Sequence, residues 1–145
     1  MTREAPGRPT SELVAAYRAA RYHVGGAAEP FDLTLDAPNP ALAACHRAHG
    51  VDCSAFLTAW NPASRPTAAA VNAAAAARLA QRLRDLGHPL LAGFGADPGG
   101  RWPAEESVLA LGLALEPASR IAREFGQVAF LHAGCDAIPR LVLLA

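Results

Sequence analysis

From Cys53 to Trp60 the chain runs Cys-Ser-Ala-Phe-Leu-Thr-Ala-Trp without a charge and then stops on Asn61-Pro62. Strand formers in an uncharged run of this length describe a central strand covered on both faces, since a half-exposed strand would alternate apolar with polar residues. Such a strand needs other elements packed above and below it.

The chain supplies them. Ser11 and Glu12 to Arg18 read as a short helix ending near Arg21, with a Ser or Thr to cap it and Leu13, Val14 and Tyr17 at helical spacing. Asn39-Pro40 sets a capping residue before a proline at the first helical position, and Leu42 to His49 follows until Gly50. Thr67 opens the longest helix, Ala68 to Leu86, with Val71, Ala75, Leu79, Leu83 and Leu86 as its apolar stripe and Gly87 as its stop. Pro117 to Phe125 is a fourth helix. Strands are predicted at Tyr22 to Val24, Phe31 to Leu35, Pro89 to Phe94, Ser107 to Leu115, Val128 to His132 and Arg140 to Leu144, with loops at Gly95 to Gly100 and Gly134 to Pro139. Strands separated by helices alternate with strands joined by hairpins. The expectation is an α+β domain, a mixed sheet of five to seven strands packed with three to four helices.

A length of 145 residues fits one domain, here residues 11–145, preceded by a polar, proline-rich arm at residues 1–10. Ala, about a quarter of the chain, inflates the 52% hydrophobic fraction. The 13 basic residues are all Arg and balance 13 acidic ones, so no electrostatic footprint for nucleic acid exists. No apolar run approaches the ~20 residues of a membrane span. Three cysteines without a C-x-x-C pair argue for free thiols and a cytoplasmic location. Cys45, His49 and Cys53 lack the paired grouping of a zinc site, so no metal is expected, and no motif points to a cofactor.

Tyr17-Arg-Ala-Ala-Arg-Tyr-His-Val24, Thr58-Ala-Trp-Asn-Pro-Ala-Ser64, Asn72, Trp102-Pro-Ala-Glu-Glu-Ser107 and Phe125-Gly-Gln-Val-Ala129 follow one another at characteristic distances. In these motifs the chain resembles the bacterial family known as domain of unknown function 3293, over nearly its whole length. The resemblance implies no particular activity. Val128 departs from it, standing where a polar residue, often Asn, is expected after the Gln.

The same motifs hold the candidate site. Asn61, Ser64 and Arg65 precede the long helix, where free backbone N–H groups and the helix dipole favour an anion and Arg65 offers a bidentate partner. The competing reading is an Asx-turn at Asn61 with Arg65 solvated. Asn72 falls one heptad before Leu79, hence on the apolar face, where its amide either ties the Asn61 loop down or meets a ligand. Alternation puts Glu105 and Ser107 on one strand face. Desolvation there would raise the proton affinity of Glu105 and make it a general acid or base, with Trp102 as a flat wall. Gln127 and the helical edge of Arg18 and Arg21 complete the set of binding candidates, each with a structural alternative.

Two functions follow. One is a small enzyme that binds a polar or anionic, nucleotide-like metabolite at the start of the long helix, with Glu105 catalytic. The other is a non-catalytic module that binds a small molecule or a protein, a homodimer included. The first requires the Asn61 loop, Glu105 and Gln127 to converge on one concave pocket.

Overall fold

The computed structural model describes residues 10–144. In chain order they form α1 (Ser11–Ala19), β1 (Arg21–Val24), β2 (Phe31–Leu33), α2 (Pro40–Ala48), β3 (Ser54–Thr58), a 3-10 turn (Pro62–Ser64), α3 (Ala69–Asp85), β4 (Leu90–Ala96), β5 (Glu105–Leu111), α4 (Leu115–Glu124), β6 (Ala129–Ala133) and β7 (Arg140–Leu143). Apart from Thr10, the expected N-terminal arm lies outside the described residues, as does residue 145.

Local chemistry sets the helix ends. Thr10 Oγ1 accepts from the Leu13 amide at 3.2 Å, and Asn39 Oδ1 from the Leu42 amide at 3.0 Å with Pro40 leading α2. Gly87, at φ +86°, takes the left-handed conformation that ends α3. Gly112, at φ +79°, breaks β5 before the apolar run ends, so Leu115 starts α4 two residues ahead of Pro117 instead of closing the strand.

The seven strands make one sheet in the order β2-β1-β4-β5-β3-β6-β7. The fold is α+β, with the uncharged strand β3 near its middle and four of its five residues buried. Every strand pairing is antiparallel, so the sheet is not mixed. The reason lies in the crossovers. Helix α3 joins β3 to β4, which run parallel but have β5 inserted between them, and α4 joins β5 to β6 around β3 in the same way. Strands linked by a helix do run in one direction, as in a split β-α-β unit, yet they are never neighbours.

Alternation along β3 divides the core in two. Ala55 and Leu57 join Ala75, Leu79 and Leu83 of α3 and Ala118, Ile121 and Ala122 of α4 on one face. Phe56 points to the other face, with Tyr22, Val24, Leu109, Leu111, Leu131 and Leu42 of α2. Each fully buried leucine here is worth about 1.5–3 kcal/mol of apolar burial. Val71 and Leu86, expected on the α3 stripe, are 56% and 49% exposed, because they lie in the terminal turns of the helix, beyond its packed middle. Among the described residues no helix is long and apolar enough to cross a membrane.

Candidate functional site

The two sheet faces are filled unequally. On the α2 face the register opposes Gly93 to Ser107 and Gly95 to Glu105, so β4 contributes no side chain where a large apolar residue would otherwise stand. Gly93 cannot be replaced cheaply: a Cβ there would collide with the His23 carbonyl oxygen and the Phe56 ring. Above this depression lies α1, whose Leu13, Ala16 and Tyr17, with Ala20 at its C-cap, follow the i, i+3, i+4, i+7 pattern of a core stripe although none of the helix's residues is buried. The stripe faces a cavity of about 280 Å³ rather than the core. Phe56, Thr58, Tyr22, Ser107, Leu131 and Leu141 supply its floor and sides, and Trp60, Asn61, Ser64, Pro66, Trp102, Glu105 and Gln127 its rim.

Few contacts hold α1 over the cavity. The Tyr22 hydroxyl donates to the Tyr17 carbonyl, Tyr17 Oη lies 3.1 Å from Ser64 Oγ, and Arg18 Nη1 reaches Asp36 at 3.0 Å. Burial pushes the Tyr17 phenol above its usual range, against the hydrogen bond to Ser64 and with a smaller push from Glu105. Tyr22 is raised chiefly by burial too.

The Asn61 segment is held from behind. The side chain of Asn72, 1% exposed, accepts from the Asn61 amide at 2.8 Å and donates to Asn61 Oδ1 at 2.8 Å and to the Thr67 carbonyl at 3.1 Å. The Thr67 amide donates to the same Asn61 Oδ1 at 3.1 Å. On the other side the Ala63 amide donates to the Gly126 carbonyl at 2.7 Å. These bonds fix Asn61, Ala63 and Ser64 at φ +45°, +57° and +58°, left-handed values that non-glycine residues adopt at a cost.

Held in this way, Asn61 aims its remaining amide at the cavity, and Asn61 Nδ2 donates to Glu105 Oε1 at 3.3 Å. Glu105 lines the cavity; its Oε2 has no partner among the described residues, and since none of their fully buried side-chain oxygens lacks one, Oε2 is accessible. Desolvation raises the Glu105 carboxyl above the usual glutamate range, and the Asn61 bond offsets part of that. Two other polar lining groups are engaged with the protein. Gln127 Nε2 donates to the Trp60 and Phe125 carbonyls at 3.2 and 3.3 Å, and Ser107 Oγ to the Glu105 carbonyl at 3.0 Å.

Of the residues singled out in the sequence, Asn61, Ser64, Trp102, Glu105, Ser107 and Gln127 line this one cavity. Asn72 stands behind it as the tie of the Asn61 loop. The arginines do not line it. Arg65 is exposed, Arg18 is paired with Asp36, and Arg21 binds Asp32 at 3.0 Å and lies over the Phe94 ring. The start of α3 carries no side-chain cap, and its first turn is not part of the lining. Sequence reasoning did not find the aromatic floor of Tyr22 and Phe56 or the roof of α1; the signal was a core-type stripe on α1 together with Gly-x-Gly on a strand.

Among the described residues no three His, Cys, Asp or Glu side chains gather to hold a metal ion. Cys45 Sγ lies 3.9 Å from His49 Nδ1, and burial raises the thiols of both Cys45 and Cys53. A groove between α3 and α4, lined by Arg82, Leu86, Arg120 and Glu124, lies on the other face of the sheet, and Arg82 and Glu124 close on each other across it at 3.2 Å.

No curated protein and no solved structure matches the chain. The profile of a family described as protein of unknown function, DUF3293, matches residues 57–130, a little over half of the sequence. That span carries the end of β3, the Asn61 loop, α3, Trp102, Glu105, Ser107 and Gln127. The chain is a member of the DUF3293 family.

Proposed function

We propose that residues 11–145 act as one domain that binds a small organic molecule in the cavity beneath α1, and that Glu105 exchanges a proton with it as acid or base. The observation that carries this reading is the Glu105 carboxyl on the cavity lining, with Oε1 held by Asn61, Oε2 without a protein partner among the described residues, and its proton affinity raised by burial. A carboxyl poised in this way takes or gives a proton nearer neutral pH than an exposed one. Three free cysteines accord with action in the cytoplasm.

An anionic substrate finds little support, because no Arg or His lines the cavity among the described residues. A second reading, a non-catalytic sensor, is favoured by the polar lining groups: Asn61 Oδ1, Ser107 Oγ, Gln127 Nε2 and the Tyr22 hydroxyl are engaged with the protein and so not free to act beside Glu105.

Incubating the protein with a cell-extract metabolite pool and following each component by mass spectrometry separates the two. Depletion of a component by the native chain but not by Glu105→Gln supports proton-transfer catalysis. Retention of a component on the protein without depletion supports the sensor. A pool from which nothing is bound or consumed contradicts both.

A further inference from the structure

Among the described residues one charged group lines the cavity; Arg65, between the lining residues Ser64 and Pro66, is exposed, has no carboxylate partner among them and is not part of the lining. Arg18, Arg21 and Arg101 belong to elements that border it, and each is drawn to a carboxylate elsewhere: Arg18 to Asp36 at 3.0 Å, Arg21 to Asp32 at 3.0 Å and Arg101 to the buried Asp97 at 2.9 Å. Asp97 is further occupied by the Gly99 and Arg101 amides at 3.1 and 2.8 Å. The sequence contains no lysine. Among the described residues, Glu105 is thus the one lining group able to carry a full charge near neutral pH, and its accessible Oε2 is unpaired. The rings of Tyr17, Tyr22, Phe56, Trp60 and Trp102 line the same cavity.

An apolar hollow with one unpaired carboxyl is complementary to a positive charge on an apolar body. The cation pairs with the carboxylate in a medium that screens the pair weakly, and aromatic faces add to its attraction. An anion would bring a second negative charge to Glu105 with no lining cation to offset it. From this placement of charge and rings we infer that the cavity selects a small organic cation, an ammonium group on a ring-bearing or branched apolar body, with the ammonium at Glu105 Oε2 and the body on the Phe56 and Leu131 floor. The inference rests on the reading of this cavity as the ligand site. It gives the pair a defined proton balance: where Glu105 holds a proton in the empty cavity, entry of the cation releases that proton to solvent, so affinity rises with pH until the amine itself loses its charge.

The chain's two tryptophans both line the cavity, so their emission reports on its occupancy. The test titrates the full chain with two matched series, 2-phenylethylamine, 2-phenylethanol and 3-phenylpropionate, and the cyclohexyl equivalents, at several pH values. The amine is expected to bind about tenfold or more tighter than the alcohol, with the carboxylate weakest, and Glu105→Gln should bring amine and alcohol to within about twofold while keeping the alcohol's affinity. Equal or tighter binding of alcohol or carboxylate, or an amine preference that survives Glu105→Gln, overturns the cation assignment and leaves the cavity reading standing. If neither series alters tryptophan emission or melting temperature, the cavity reading falls with it.

Discussion

Asn72 is the side chain on which the rim depends. Its amide uses both ends, accepting from the Asn61 amide and donating to Asn61 Oδ1 and the Thr67 carbonyl, and it does so with 1% exposure. Asn72→Ala is expected to cost about 1–3 kcal/mol by leaving those groups without partners, read as a lower denaturation midpoint. Glu105 works in the opposite sense. Its carboxyl is raised by burial, so the folded state holds a proton that the unfolded chain, with a value near 4.5, gives up earlier. Stability therefore declines as pH rises from about 4.5 to the folded value and stays lower above it. Glu105→Gln, which keeps the acceptor for Asn61, should match the native melting temperature below that window and equal or exceed it at neutral pH. A variant less stable at neutral pH would show that the carboxylate is a structural anchor instead.

At the scale of elements, α1 is the piece that decides access. It contributes no buried residue and is tied down by Tyr17 to Ser64, Tyr22 to Tyr17 and Arg18 to Asp36. Tyr17→Phe removes the first tie and leaves the core untouched. The expected outcome is faster hydrogen exchange across Ser11–Ala19 and faster ligand release, with global stability changed by about 1 kcal/mol or less. Most element boundaries were legible in the chain because they are set by local chemistry, the Asn39-Pro40 cap, the Gly87 stop and the uncharged run of β3 among them. The convergence of Asn61, Glu105 and Gln127 was also foreseeable, since each stands at an element end. Two things were not. Helix-separated strands suggested parallel neighbours, and only the long-range insertion of β5 and β3 shows that each crossover skips a strand. The α1 stripe was readable as apolar but not as facing an unfilled hollow, because periodicity marks an apolar face without saying what covers it.

For the molecule as a whole, the two faces of the sheet divide labour: α3 and α4 close one with a dense core, while α2 and the thinly held α1 leave a hollow on the other. Acid sensitivity of the fold is expected from one buried and one half-buried imidazole. His46, whose Nε2 lies 2.8 Å from Ser54 Oγ, and His132, whose Nε2 meets the Leu113 carbonyl at 3.0 Å, are both held below the usual histidine range chiefly by desolvation. A depressed imidazole contributes stability that is complete above the unfolded value near 6.5 and is lost as pH falls below it, so the melting temperature should begin to drop there. Ligand occupancy of the hollow is the central claim, and it is tested most directly by mapping the amide and indole N–H signals of the protein by nuclear magnetic resonance as a bound amine is added. The predicted result is that shifts concentrate on the Trp60 and Trp102 indoles, on α1 and on Glu105 to Ser107. Shifts confined to the Arg82 and Glu124 groove on the opposite face would contradict it.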